Sequence, residues 1–410
     1  MQILLIHQNF PGQFRALAPQ LIARGHTVVA IGQQPMARPP QGLQYLHYSW
    51  DAADPPRRLM DPDLERNLQR AARVHGLALH LRKQGFAPEA VIFHSGWGEG
   101  LYLRDVWPRA VLLAYPELYA RPELLGYGFD PDLGSPGEGL RQSMQRQNFM
   151  ALAAIADADG AVVPTLFQRD TFPAHLRGRF QVIHEGVDLE RVKPHLNRHV
   201  QLTEQLMLRR GDPVITFVNR TLEPLRGFRA LMRALPQIQD QHPTAQTLIV
   251  GDALGSSYSP PSSHPQGYQG EMLALLGRRL DRSRLHFLGR VSYEQLLALL
   301  QISAAHVYLT YPYALSWSLL EAMACGAPVV GSANDPVTEV LRDGENGRLV
   351  PFNDPEQLAR VVLELLADQG QGQRLGLGAR RTVEQRYRIE QASDAYEQLI
   401  LSLKLSATKA

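Results

Sequence analysis

The stretch from His306 to Gly331 constrains the fold of this chain more than any other. His306-Val-Tyr-Leu-Thr310 reads as a buried strand and Pro328-Val-Val-Gly331 as the next. Between them Leu319, Leu320, Met323 and Ala324 form one helix face, with Ser316 or Ser318 placed to cap the start and Gly326 to close the end. Strand, helix, strand is the unit of a parallel α/β sheet. A helix beginning at the carboxyl edge of such a sheet turns free N–H groups and the positive end of its dipole outward, which suits a phosphate. Glu321, one turn in, can accept hydrogen bonds from vicinal hydroxyls such as a ribose diol. Ser318-Leu-Leu-Glu321 also has the letters of a capping box, in which Glu321 would instead fold back on the N–H of Ser318.

At 410 residues the chain exceeds the size at which one core keeps growing, so two domains are expected. Its formal net charge is only +2, from 42 Lys and Arg against 40 Asp and Glu, which leaves no general attraction for nucleic acid or other polyanions. The one cysteine, Cys325, excludes an internal disulfide and a multi-cysteine metal site, and fits a reducing compartment. No apolar run approaches the roughly 20 residues of a membrane span. Met1 to Ile6 is short and lacks a basic head, so it reads as a first strand and not as a signal peptide, and a cytoplasmic protein is expected.

Taken in order, Gln2-Ile-Leu-Leu-Ile-His7, a helix from Gln13 to Arg24 and Thr27-Val-Val-Ala-Ile31 open an α/β domain. Gly12 stands alone after the first strand, so the three-glycine dinucleotide fingerprint is missing and the pyrophosphate is not expected there. A Pro-rich surface stretch runs from Pro35 to Pro56, followed by a long helix from about Asp63 to Gln84 and strands at Ala90–His94 and Val111–Tyr115. Residues 120–139, rich in Gly, Pro and Asp, read as a long loop. Further elements lead to a linker, His184-Glu-Gly-Val-Asp-Leu-Glu-Arg-Val-Lys-Pro194, and the boundary is placed near Pro194. The alternation then restarts with Val214–Val218, and Ala253 to Gly270 is an insertion that holds no regular structure.

The chemistry-bearing residues cluster at strand ends. Asn219-Arg-Thr-Leu-Glu-Pro-Leu-Arg-Gly227 follows one strand, and His286-Phe-Leu-Gly-Arg-Val291 ends another. His94 sits at a strand terminus before Gly-rich sequence, where it can meet a sugar hydroxyl or serve only the fold; Glu99 and Glu117 are nearby carboxylates. Asp130-Pro-Asp132 has the letters of a divalent-metal motif but lies in the long loop with no strand end to present it, so no metal is expected.

Ser318-Leu-Leu-Glu-Ala-Met-Ala-Cys-Gly-Ala-Pro-Val-Val330 resembles the donor-site signature of retaining glycosyltransferases of family four (group 1 type). The subset with Leu-Ser-Trp-Ser here and His-Gln-Asn-Phe-Pro-Gly-Gln-Phe at the amino terminus matches best. The resemblance implies the GT-B fold, two Rossmann-like α/β domains facing each other across a cleft, with the carboxyl-terminal helix crossing back to domain one. The domains would be 1–194 on the acceptor side, 195–386 for the nucleotide sugar, and 387–410 as the returning helix.

It also implies site roles. Arg220 and Arg226, six residues apart, would neutralise the donor diphosphate, with Arg where the family has Lys at the second position. Backbone groups of Ser316, Trp317, Ser318 and Leu319 would meet phosphate, Glu321 the ribose, and Arg290 and Val291 the nucleobase. Gly12 would let backbone approach the diphosphate from domain one, and His94 would stand near the acceptor. Tyr313 occupies the place of the family's first motif Glu, eight positions before Glu321.

The implied function is transfer of a sugar, with retention, from a nucleotide-diphosphate sugar as donor substrate to a glycan or lipid-linked acceptor, without a cofactor and without nucleic acid. A lipid-carried acceptor would bring the protein to the inner face of the membrane. Two alternatives stay open: a nucleotide-sugar-binding module altered in catalysis, consistent with Tyr313, and a sugar-nucleotide epimerase of the same architecture.

Overall fold

The computed structural model describes residues 1–49 and 62–409, so Trp50 onward in the Pro-rich stretch read from Pro35 to Pro56 lies outside the described residues. Two compact units emerge. The first comprises Met1–Pro122, Pro136–Gly186 and Ile389–Ala410, and the second Glu123–Ser135 and Val187–Arg388.

In the first unit seven strands form one sheet: β1 (Gln2–Ile6), β2 (Thr27–Gly32), β3 (Leu43–His47), β4 (Ala90–His94), β5 (Val111–Tyr115), β6 (Gly160–Val163) and β7 (Phe180–Val182). Their spatial order is β3-β2-β1-β4-β5-β6-β7, with every neighbouring pair parallel. The strands are near-continuous apolar runs because both sheet faces are covered. Leu4 and Ile6 point into one core with Val91 and Phe93, whereas Ile3 and Leu5 point into the other with Leu17, Leu21, Tyr396 and Ile400. The last two belong to the carboxyl-terminal helix Ile389–Lys409, which is thereby a layer of the first unit. Its rim is tied down by Arg24 to Asp394 at 2.5 Å and His26 to Glu397 at 3.0 Å. Strand β3 falls in the Pro-rich stretch read as surface; Leu43-Gln-Tyr-Leu-His47 is short, and its surroundings mask it.

A two-stranded antiparallel hairpin, β8 (His199–Gln201) with β9 (Met207–Arg209), opens the second unit. Its main sheet has six parallel strands: β10 (Val214–Thr221), β11 (Gln246–Asp252), β12 (Leu285–Gly289), β13 (Ala305–Tyr308), β14 (Val329–Ser332) and β15 (Arg348–Val350), in the order β12-β11-β10-β13-β14-β15. The order reverses at β10, so the β10 and β13 ends flank the crevice where α/β sheets take ligands. The Ser292 side chain and Gln295 cap the helix Tyr293–Ile302 reciprocally, in a complete capping box. No helix among the described residues is long and apolar enough to cross a membrane.

The division at Gly186/Val187 precedes the boundary expected near Pro194. The segment 123–135, read as a free loop of domain one, instead belongs to the second unit. It contains the end of a 3-10 turn, Pro122–Leu125, and its docking is aromatic and acidic. The Phe129 ring lies 5.6 Å from Tyr311 and 5.4 Å from Phe352, and Asn353 Nδ2 donates to the Phe129 carbonyl at 2.9 Å. The Tyr311 hydroxyl donates to the Asp130 carboxylate, and Asp132 pairs with Arg233 at 2.9 Å. Gly126 has φ +94°, and a Cβ there would enter the Tyr311 ring, so only glycine fits. Both aspartates of Asp130-Pro-Asp132 are thus held by the protein, and the Asp132 N–H donates to Asp130 Oδ1 at 2.9 Å in an Asx turn.

Tyr311→Phe strips Oδ2 of the buried Asp130 carboxylate of its hydroxyl donor and is expected to cost about 1–3 kcal/mol. A lower melting temperature and new protease cleavage within 123–135 check it. An unchanged melt and cleavage pattern would show that the segment is held by other means.

Candidate functional site

The loop after β10 carries Arg220 and Arg226 in different states. Arg220 is exposed and makes no hydrogen bond or ion pair among the described residues. Arg226, by contrast, is only 7% exposed: its Nη1 donates to Thr310 Oγ1 and to the Ala314 carbonyl, each at 2.9 Å. One edge of this guanidinium therefore braces the loop after β13. Gly227, with φ +76°, turns the chain there into the helix Phe228–Gln241. The Arg226 Cζ also lies 5.6 Å from the Tyr313 ring centroid and 5.7 Å from that of Tyr258, and the two rings are 4.9 Å apart. Position 313 thus holds an aromatic ring beside a cation where the resemblance implies a carboxylate.

The helix Trp317–Ala324 starts at the carboxyl end of β13, as the apolar pattern predicts, and Ser316 is its N-cap. The cap is more fully made than an open anion site requires. The Ser316 N–H donates to the Tyr308 hydroxyl at 2.7 Å, the Ser318 N–H to Ser316 Oγ at 3.4 Å, and the Leu319 N–H to the Ser316 carbonyl at 3.2 Å. Three of the four backbone groups read as phosphate donors therefore have partners within the protein, because the loop supplies serine and tyrosine oxygens at the right height. The dipole end remains. Since Ser316 is the cap, Glu321 is not the closing member of a Ser318 capping box. Its carboxylate, 5% exposed, accepts from the Tyr293 hydroxyl at 2.8 Å.

Tyr293 begins the helix two residues after Val291. It therefore joins the turn holding Arg290 and Val291 to Glu321, a link invisible in the sequence because the two lie nearly thirty residues apart. The Arg290 guanidinium is taken by Asp252 Oδ2, with Nε at 2.6 Å and Nη2 at 2.5 Å, so the side chain is anchored. Tyr258, Glu223 and Tyr308 also escaped sequence reading. Only Glu223, an acid in an otherwise basic loop, carried a local signal.

His94 and Gly12 lie in the first unit, whereas the candidates above lie in the second. His94 is 2% exposed and stacks on Trp97 at 4.2 Å. Its Nδ1 accepts the Gly96 N–H at 3.1 Å, which puts the ring proton on Nε2, 3.4 Å from Glu117 Oε2. The other Glu117 oxygen takes the Gln13 amide at 3.5 Å, and Gln13 Oε1 in turn receives His7 Nε2–H at 2.5 Å. Burial and the neighbouring His94 hold His7 down to about 3, so it is neutral. Gly12 has φ +46°, and a Cβ there would strike the His7 ring. Its lack of a side chain is needed by His7 whatever else it meets.

The carboxylates read as equals are not. Glu99 is fully buried, raised by burial, with Oε1 on the Tyr48 hydroxyl at 2.9 Å and Oε2 without a hydrogen-bond partner among the described residues. Glu117 stays 32% exposed and takes φ +63°, a conformation non-glycine residues hold at a cost and keep near functional sites. A polar cavity of about 410 Å³ opens beside Gly96 and Trp97, with Gln8, Asn9, Arg66 and Arg146 among its walls.

Comparison with known proteins fits this layout. Residues 24–192 match the family model described as glycosyl transferase family 4 group, and residues 201–382 the model of glycosyl transferases group 1. The D-inositol 3-phosphate glycosyltransferase of Streptomyces avermitilis is 28% identical over 233 residues, 56% of this chain and 49% of the relative. That of Salinispora arenicola is 31% identical over 211 residues, 50% of this chain and 45% of the relative. The chain thus spans about half the length of the curated relatives it matches.

Among solved structures, sucrose-phosphate synthase from Thermosynechococcus elongatus superposes with a TM-score of 0.74 at 19% identity, covering 99% of this chain and 100% of the other. Anabaena HepE, in complex with UDP and glucose, gives 0.71 at 19%, covering 98% and 100%. At such identities these neighbours show the fold alone, and the fold is GT-B. One model thus spans most of the first Rossmann-like half and the other most of the second, so the two halves resemble, in turn, the family 4 group and group 1 glycosyl transferase domains.

Proposed function

We propose that the chain transfers a sugar from a nucleoside diphosphate sugar to an acceptor hydroxyl with retention of configuration. The observation that carries this reading is the convergence, around one strand-loop-helix of the second unit, of Arg226 bonded to the Ala314 carbonyl, the start of the helix Trp317–Ala324, and Glu321 on that helix. A diphosphate against Arg226 and the exposed Arg220 would have its leaving charge met by two fixed cations where it develops, with no metal required. Glu321, oriented by Tyr293, would hold the ribose diol, and the backbone after β12 would meet the base.

In the reaction the bond from the anomeric carbon to the β-phosphate oxygen breaks and that carbon bonds to the acceptor oxygen on the same face. The acceptor proton goes to the departing diphosphate. His94, with Glu117 beside it, is the candidate for orienting the acceptor hydroxyl. UDP bound by a structural neighbour supports a uridine nucleotide, and the inositol phosphate in the relatives' names supports a polyol or glycan acceptor, soluble or carried on lipid.

Thermal unfolding against a panel of UDP-, GDP-, ADP- and dTDP-hexoses tests the donor. A cognate donor at a hundred times its Kd should add about 2.7 kcal/mol of stability. Release of nucleoside diphosphate only when acceptor is added then establishes transfer. Tyr313 favours one other reading, a binding module, for which the stabilisation would appear without turnover. Interconversion of the donor without acceptor would indicate an epimerase.

A further inference from the structure

We infer that Glu223 is a positioning residue for the sugar end of the donor: it builds, without touching ligand, an aromatic wall of Tyr258 and Tyr313 that takes the place of a sugar-binding carboxylate. The inference rests on the donor site proposed above and goes beyond it. Glu223 is 1% exposed, and its Oε2 receives three successive backbone N–H groups, from Ser257 at 3.3 Å, Tyr258 at 3.0 Å and Ser259 at 2.8 Å. The Ser256 hydroxyl adds a fourth donor at 3.1 Å, and Thr221 Oγ1 donates to Oε1 at 3.0 Å. A carboxylate inside such a cup of amides is strongly held, and it fixes a loop with no regular structure of its own.

The loop has one evident product. Ser259 Oγ accepts the Leu225 N–H at 3.1 Å, which locks the cup to the turn that ends in Arg226. Tyr258 is thereby delivered against Tyr313, and both partly exposed rings flank the same guanidinium. A diphosphate held by Arg226 carries its sugar one bond further on, so groups within 6 Å of that guanidinium are within reach of the sugar. Tyrosines offer such a ring an apolar face and a hydroxyl. The Arg226 bonds to Thr310 and Ala314 do not pass through the loop. Loss of the cup should therefore spare the diphosphate and damage the sugar contact.

The test compares binding of a nucleotide sugar with that of its own nucleoside diphosphate by calorimetry, using UDP-glucose and UDP or the pair the donor panel selects. Glu223→Ala and Tyr258→Ala should each weaken the nucleotide sugar about tenfold while the diphosphate stays within about threefold, and Glu223→Gln should fall between. Tyr258→Ala leaves the carboxylate cup in place, so it reports even if Glu223→Ala fails to fold. Equal weakening of both ligands, or of neither, overturns the assignment while leaving the donor site standing. A wild-type chain that binds no member of the panel overturns the proposed function and this inference together.

Discussion

Glu321→Ala is expected to raise the Kd for the nucleotide sugar about a hundredfold, from the loss of charged hydrogen bonds to a diol worth about 1.5–3 kcal/mol each. The same change leaves the Tyr293 hydroxyl without its acceptor, so a stability loss of about 1 kcal/mol should accompany it. Tyr293→Phe separates the two effects, since it keeps the carboxylate and frees its orientation. It should cost affinity about tenfold or less, although its stability loss should be at least as large as that of Glu321→Ala, because the buried carboxylate loses this donor. Calorimetry and thermal unfolding read both variants. Undiminished donor affinity in Glu321→Ala would remove Glu321 from the site.

The second large effect distinguishes the two arginines. Arg220 is exposed and unpaired among the described residues, so Arg220→Ala should leave stability within about 0.5 kcal/mol and lower donor affinity through lost charge alone. Arg226 is buried, with two hydrogen bonds into the loop after β13, and Arg226→Ala leaves Thr310 and the Ala314 carbonyl unsatisfied. A stability loss of about 2–4 kcal/mol and a fall in transfer rate of about a thousandfold are expected together. Arg226→Lys should restore part of the rate but little of the bracing, because the side chain is one bond shorter and its single nitrogen cannot both reach the two acceptors of Nη1 and meet a diphosphate. If Arg220→Ala proves the more destabilising variant, the division of labour drawn here is wrong.

The fold was legible because it is written in apolar runs. The central parallel strands are buried on both faces, so Leu4-Leu5-Ile6 or Ile215 through Val218 stand out without any alternation. Strand β3 was missed since an edge strand needs less apolar content, and the hairpin of β8 and β9 since three residues leave no period to read. Arg220 and Arg226 were singled out by spacing, but their states, one exposed and one buried, were not legible. That Arg226 braces a carbonyl 88 residues away depends on β10 and β13 being sheet neighbours, and local sequence does not encode adjacency. The same holds for Tyr293 on Glu321. The insertion Ala253 to Gly270 was read as unstructured because Ser, Gly and Pro favour no helix or strand, yet its Ser256–Ser259 part is held by one distant carboxylate. Its last residues, Gly267 to Gly270, form the first turn of the helix Gly267–Leu276.

The chain passes from one unit to the other four times, after Pro122, Ser135, Gly186 and Arg388. Neither half is therefore encoded by an uninterrupted reading frame. A protease nick at any one crossing would leave three covalent connections intact. A hybrid spliced from two relatives at Gly186 would not exchange whole halves: it would seat the terminal helix of one parent on the sheet of the other, and the Phe129 segment of the second on the first. Exchange of whole halves in this architecture has to move at least two pieces of gene, not one.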